Sequence, residues 1–320
     1  MKSRALHISI SAAILALLLW SVDWRQMASG LRHANWWLLL LGCGIVQLGA
    51  LLRAWRWQLI ANKDAKCATF ADACVVTYVG SALNILLPAS LGDVARAYYG
   101  YQRTGRRETM LASSLMDKGL ALWAAMGMGL IPAALNGLWH WFGVELGMLL
   151  ALSAVLFFPR VVPWSIIARC LRCVRVTLRS QELTAGCCLP LPLIVATVGL
   201  SVAAWLTNYV QLALTLRALG EPVPFAFVMV AAPLITVAKL TPFTLDGLGT
   251  QEAAFVYLLQ PAGVSAGAAL LSSFALRLGG SYLPALVGAL MLGVGTPSHG
   301  TRKPSPPKSL ERHSVKALEH

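Results

Sequence analysis

Four long apolar runs constrain this chain more than any other feature: Leu6 to Val22, Trp36 to Leu52, Trp141 to Phe158 and Pro190 to Leu214. A helix needs about 20 apolar residues to cross the hydrocarbon core of a bilayer, and each run approaches or exceeds that length. Charged residues make up only 12% of the chain and hydrophobic ones 57%. A soluble domain carries about a quarter charged residues, so this chain cannot coat a water-facing globule. Strand-like alternation is absent, which excludes a β-barrel. The expected fold is an all-α polytopic membrane protein.

The net charge of +13 does not point to nucleic acid. Its Lys and Arg residues fall in short segments between apolar runs, where they orient helices and meet anionic headgroups. Lys2 and Arg4 place the N-terminus inside, and Arg53, Arg56, Lys63 and Lys66 mark the next inside segment. Arg96, Arg103, Arg106 and Arg107 mark another. Arg160 to Arg179 reads as a basic amphipathic helix on the inner leaflet. The tail, residues 297–320, carries five further cations, is expected to be disordered, and ends in Leu318, Glu319 and His320, which read as a tag remnant. Both termini are thus expected on the cytoplasmic side of a bacterial inner membrane. The start of the chain lacks a convincing cleavage site and reads as a first membrane helix. The cysteines, with a CxxC at Cys170 and Cys173, suggest reduced thiols rather than a disulfide framework or metal site.

Two neighbouring inside segments create a topological conflict. Only one apolar stretch, Phe70 to Leu91, separates them, and a single crossing would put one basic cluster outside. A hairpin that enters and leaves on one side removes the conflict. Gly80, Asn84 and Pro88 supply its helix breakers, and broken backbone at membrane depth is tolerated only where protein or a watery cavity satisfies it. A second broken region runs from Phe225 to Leu259, interrupted by Pro233, Lys239, Pro242 and Asp246.

The two breaks resemble one another. Leu86-Leu87-Pro88-Ala89-Ser90-Leu91-Gly92-Asp93 and Leu240-Thr241-Pro242-Phe243-Thr244-Leu245-Asp246-Gly247 both fit L-x-P-x-[S/T]-L followed by Gly and Asp in either order. Counting crossings puts the first on the inside and the second on the outside. About six full membrane helices plus two re-entrant hairpins then form an inverted repeat, with copies near 36–136 and 187–295 inside a domain of residues 1–296. Such breaks meet near the bilayer midplane and build substrate sites.

Charge inside the membrane is costly and marks function by default. The resulting shortlist is Asp93, Arg96, Asp117, Lys118, Lys239, Asp246, Glu252 and Arg277. Arg96, Lys239 and Arg277 are expected to hold a lipid headgroup, with Asp93, Asp246, Glu252 and Asn84 around them. Pro88, Gly92, Pro242, Gly247 and Gly249 are expected to break or gate the helices. Asp117 and Lys118 read as interfacial, near a helix start at about Leu111. The GxxxG spacings at Gly143/Gly147 and Gly263/Gly267 read as close helix packing. Trp36, Trp37, Trp55, Trp57, Trp139 and Trp141 read as belt residues.

The segment Asn84 to Arg96, N-I-L-L-P-A-S-L-G-D-V-A-R, resembles the N-x-x-x-P-x-x-x-G-[D/E]-x-x-R signature of the lysylphosphatidylglycerol synthase transmembrane, or flippase-like, family. Gly247-Leu248-Gly249-Thr250-Gln251-Glu252 is similar to that family's second signature, G-[L/V]-G-x-x-E. Arg277 falls where the family often has an Arg. Asp246 stands where many relatives have Gly, and Gln251 where many have Arg. The resemblance implies a lipid-handling membrane protein, read as a stand-alone member without the aminoacyl-transferase domain of the best-known relatives.

The leading expectation is a flippase or scramblase for a polar or charged envelope lipid, with no cofactor and no metal. An accessory subunit of an envelope-lipid, hopanoid or glycolipid synthesis enzyme is the second reading. A membrane-embedded transferase on a lipid-linked donor is the third, with Asp93, Asp117 or Glu252 as base. No P-loop, HExxH or GxSxG occurs, so the chain is not expected to be an enzyme. Its expected partners are anionic or amphipathic membrane lipids, with room for a lipid-synthesis enzyme or a homo-oligomer, and no nucleic acid.

Overall fold

The computed structural model describes residues 28, 30–63, 66, 68–86, 97, 98, 101, 107–157, 189–240 and 244–293. Among these, helices α1 (Trp36–Ala61), α2 (Phe70–Leu86), α3 (Arg107–Leu135), α4 (Trp139–Phe157) and α5 (Leu191–Ala218) are followed by α6 (Phe225–Lys239), α7 (Thr250–Leu259), α8 (Ala266–Arg277) and α9 (Leu283–Gly293). A π-helical segment, Leu278–Tyr282, joins the last two. The chain is a polytopic all-α membrane protein. Among the described residues, five stretches are long and apolar enough to cross: α1, Met110–Leu135, α4, α5 and Ala266–Met291. The first expected span, Leu6 to Val22, lies outside the described residues.

Local chemistry sets the helix boundaries. The Asn35 side chain accepts from the N–H groups of Trp37 and Leu38, at 3.1 and 3.3 Å, and so caps α1. Pro190 and Pro224 start α5 and α6, where a missing N–H costs nothing. With 17 and 15 residues, α2 and α6 reach only about 25 Å and 22 Å at 1.5 Å per residue, short of the roughly 30 Å core. The second broken region is thus a helix, α6, and a short helix packed on it, α7, with a 3-10 turn at Leu245–Gly247 before α7. The first ends α2 at Leu86, just before Pro88; residues 87–96 lie outside the described residues.

Helix contacts obey an exchange rule. α1 packs on α5, the first long helix of each half. α2 packs on α9, while α6 packs on α3. Swapping α1 with α5, α2 with α6, and α3 with the α8–α9 unit turns each contact into another that is present. Polar contacts follow the same rule: Arg56 on α1 reaches Asp117 on α3, and Gln211 on α5 donates to the Ala275 carbonyl on α8. α4 lies between the halves and packs on α3.

Several packing expectations are corrected. Neither Gly143 nor Gly147 has anything within 4 Å of where a Cβ would stand, so this pair does not mediate packing within the chain. Gly263 is a left-handed cap after a 3-10 turn. Close approach occurs instead at Gly49 against Thr207 and at Gly288 against the Tyr78 backbone, the α1–α5 and α2–α9 crossings. Trp57 is not a belt residue; it is fully buried among Ala54, Ala61, Ala68 and Ala73. Trp37 and Leu135, each 81% exposed, carry the apolar exterior that lipid would cover.

Candidate functional site

The sequence makes the turn between α6 and α7 from residues that other elements tolerate poorly. Asp246 has φ +46°, Gly247 +68° and Gly249 +89°, the left-handed region that penalises side chains with a Cβ. A Cβ on Gly247 would stand 2.7 Å from the Lys239 Cα, so glycine there also permits the end of α6 to press against the turn. Glu252 then accepts from the Gly249 N–H at 2.7 Å, capping α7.

Arg277, arriving from α8, holds this turn. Its Nε donates to Glu252 Oε1 at 2.7 Å and its Nη2 to Oε2 at 3.3 Å. Nη1 donates to the Asp246 carbonyl at 3.0 Å and reaches Asp246 Oδ2 at 3.4 Å. Nη2 also donates to the Gly247 carbonyl at 2.9 Å. Five contacts occupy the five N–H groups of the guanidinium. Ser273 gives Glu252 a further donor at 2.9 Å. The Arg277 and Glu252 side chains are 1% and 0% exposed, so both are built into the wall. The expected direct headgroup contact by Arg277 does not fit, because its donors are already engaged.

Lys239 differs. Its side chain is 28% exposed, and Nζ lies 3.3 Å from Asp246 Oδ1 and donates to Ser281 Oγ at 3.0 Å. Both partners are small or shared, and the partly exposed side chain borders an open space. That space is a cavity of about 300 Å³, at the small end of ligand pockets: room for a headgroup, not for acyl chains. Ser81 and Asn84 from α2, Asn208 and Tyr209 from α5, Gln251 from α7 and Ser281 from the π segment line it. Among the described residues, five cations border it (Arg53, Arg56, Lys118, Lys239 and Arg277) against two anions, Asp117 and Asp246.

Of the expected site residues, Asn84, Lys239, Asp246 and Arg277 line this one cavity, with Glu252, Gly247 and Gly249 directly behind it. Asp93, Arg96, Pro88, Gly92 and Pro242 lie outside the described residues. Asp117 is corrected: it is not interfacial but 2% exposed, ten residues inside α3. Arg56 binds it bidentately, at 2.6 and 3.1 Å, and donates to Ser201 Oγ at 3.0 Å. Sequence position groups Arg56 with the inside-facing basic residues; the signal that separates it from them is the buried acid opposite. Glu145 is absent from the sequence shortlist, although it is a lone acid in an apolar run; it is fully buried.

Helices long and apolar enough to cross a membrane, two shorter apolar helices and a polar cavity beside their ends define a class: polytopic all-α membrane proteins. The sequence pattern of one family, described as the lysylphosphatidylglycerol synthase TM region, matches residues 4–288. The chain belongs to that family. A comparison with curated proteins finds no match.

Proposed function

We propose that this protein moves a polar or charged envelope lipid between the leaflets of a membrane, as a flippase or scramblase. The observation that carries this reading is the headgroup-sized cavity faced by Lys239 and bounded by the ends of α2 and α6. A lipid phosphate placed there gains a charge-assisted bond from Lys239, while its tails stay in the bilayer. Family membership supports a lipid-related role. The exchange rule in the helix contacts supports an inverted repeat, in which the α2 hairpin enters from the cytoplasmic face and α6–α7 from the opposite face. Both chain ends are then cytoplasmic, in a bacterial inner membrane.

Reconstitution tests it. Liposomes carrying the protein should exchange a fluorescent anionic lipid between leaflets faster than empty vesicles. Lys239→Gln should slow that exchange about tenfold, the equivalent of one lost charge-assisted bond of about 1.4 kcal/mol. No exchange above background for any anionic, cationic or polyprenyl lipid would sink the proposal.

A further inference from the structure

Glu145 takes no part in the cavity. It sits in the second turn of α4, fully buried, and neither carboxyl oxygen has a hydrogen-bond partner among the described residues. The carboxyl fits only because Gly129 on α3 has no side chain; a Cβ there would overlap it. An ionised carboxylate in such a place lacks water, a counter-charge and a donor, which is far costlier than a neutral acid in the same place.

The described residues around it offer no counter-ion. α3 presents Gly129, and its nearest described charges, Asp117 and Lys118, are three turns away. From α5 comes the Tyr209 ring, within electrostatic reach of the carboxyl. Tyr257 on α7 touches Trp141, one turn before Glu145, and α4 itself adds only His140. No group of three His, Cys, Asp or Glu gathers among the described residues, so a metal cation has no ligand set here. An acceptor is present instead. Pro132 lies inside α3 and has no N–H, so the Met128 carbonyl, next to Gly129, lacks its helical donor. A protonated carboxyl can supply a donor to that turn, whereas a carboxylate cannot.

Position adds a path. Glu145 is six residues into α4, about 9 Å from the α3–α4 turn. Tyr209 is buried, lies within electrostatic reach of Glu145 and lines the cavity.

We propose that Glu145 is a proton-binding residue, occupied as the neutral carboxylic acid inside the membrane, and that its loading is coupled to the state of the cavity that Tyr209 lines. The balance is one proton: the carboxylate takes it from water on the side of the α3–α4 turn and later returns it, with no other reactant. The coupling rests on the lipid-transport reading; the proton site does not.

Two measurements on the full chain separate these. In nanodiscs, infrared spectra near neutral pH should show a protonated-carboxyl carbonyl band that disappears in Glu145→Gln. Absence of the band in wild type, or its persistence unchanged in E145Q, overturns the proton site. In liposomes, an imposed pH gradient should change exchange of a fluorescent anionic lipid by about fivefold or more in wild type. E145Q, isosteric with the neutral acid, should keep basal exchange and ignore the gradient. An E145Q response equal to wild type overturns the coupling. Absence of lipid exchange in wild type at any pH overturns the transport reading and the coupling with it, and the infrared result then decides the proton site alone.

Discussion

Arg277 and Lys239 are both cations at one cavity, yet burial assigns them different work. Arg277 is the keystone of a turn, holding two backbone carbonyls and two carboxylates. Arg277→Leu leaves Glu252 charged and buried, a loss of about 3–5 kcal/mol. Scanning fluorimetry should record a large drop in unfolding temperature, and removing the acid too, in Arg277→Leu/Glu252→Leu, should recover part of it. Lys239→Gln, by contrast, should leave the unfolding temperature near that of wild type while exchange falls. At this scale the sequence is legible where charge interrupts an apolar run, as at Lys239, Asp246 and Arg277. It is illegible where a buried cation sits in a basic stretch. Arg56 lies among Arg53, Lys63 and Lys66, and nothing local tells a paired arginine from an anchoring one. Its partner Asp117 is 61 residues away.

Among the elements, the turn between α6 and α7 is the most exacting. Gly247 and Gly220 have similar positive φ, +68° and +80°, but of the two only Gly247 has a neighbour within 4 Å of its absent Cβ. Gly247→Ala therefore adds a clash with the Lys239 backbone to a strain of about 1–3 kcal/mol. It should abolish exchange, whereas Gly220→Ala should cost only the strain and leave exchange unchanged. Side-by-side leaflet-exchange assays check this. The break itself is readable from Pro242 and the glycines, and the lengths of α2 and α6 agree with two half-spans. The helix packing is not readable from GxxxG spacing, because whether a glycine packs depends on what lies across from it: Gly49 meets Thr207, and Gly143 meets nothing.

For the whole molecule, the charge rhythm and the contact pattern argue for opposed halves. Positive-inside reasoning places Lys63 in the cytoplasm and Asn136 outside. In a background without native cysteines, an impermeant thiol reagent added to intact cells should label Asn136→Cys at once and Lys63→Cys only after permeabilisation. Labelling of both from the same side would break the proposed topology. The repeat is visible in sequence as a short match around two prolines. The partner exchange, α2 on α9 and α6 on α3, is not, because sequence order says nothing about which half lies against which.

The π-helical segment Leu278–Tyr282 sets the phase of everything after it. One residue of an α-helix turns the chain by about 100°, so the wide turn acts as a single extra notch between the two ends of the last membrane span. Upstream of the notch, Arg277 points at the α6–α7 turn; downstream, Gly288 lies against Tyr78 on α2. Were the segment to rewind as regular helix with all its residues kept, α9 would turn by about 100° relative to α8, whereas deleting Gly280 would absorb the notch and hold the phase. The rotation, not the deletion, is what moves the face of α9. With that rotation Gly288 would leave Tyr78, and a bulkier face would meet α2. The two halves of the protein are thus kept in step by a single surplus residue.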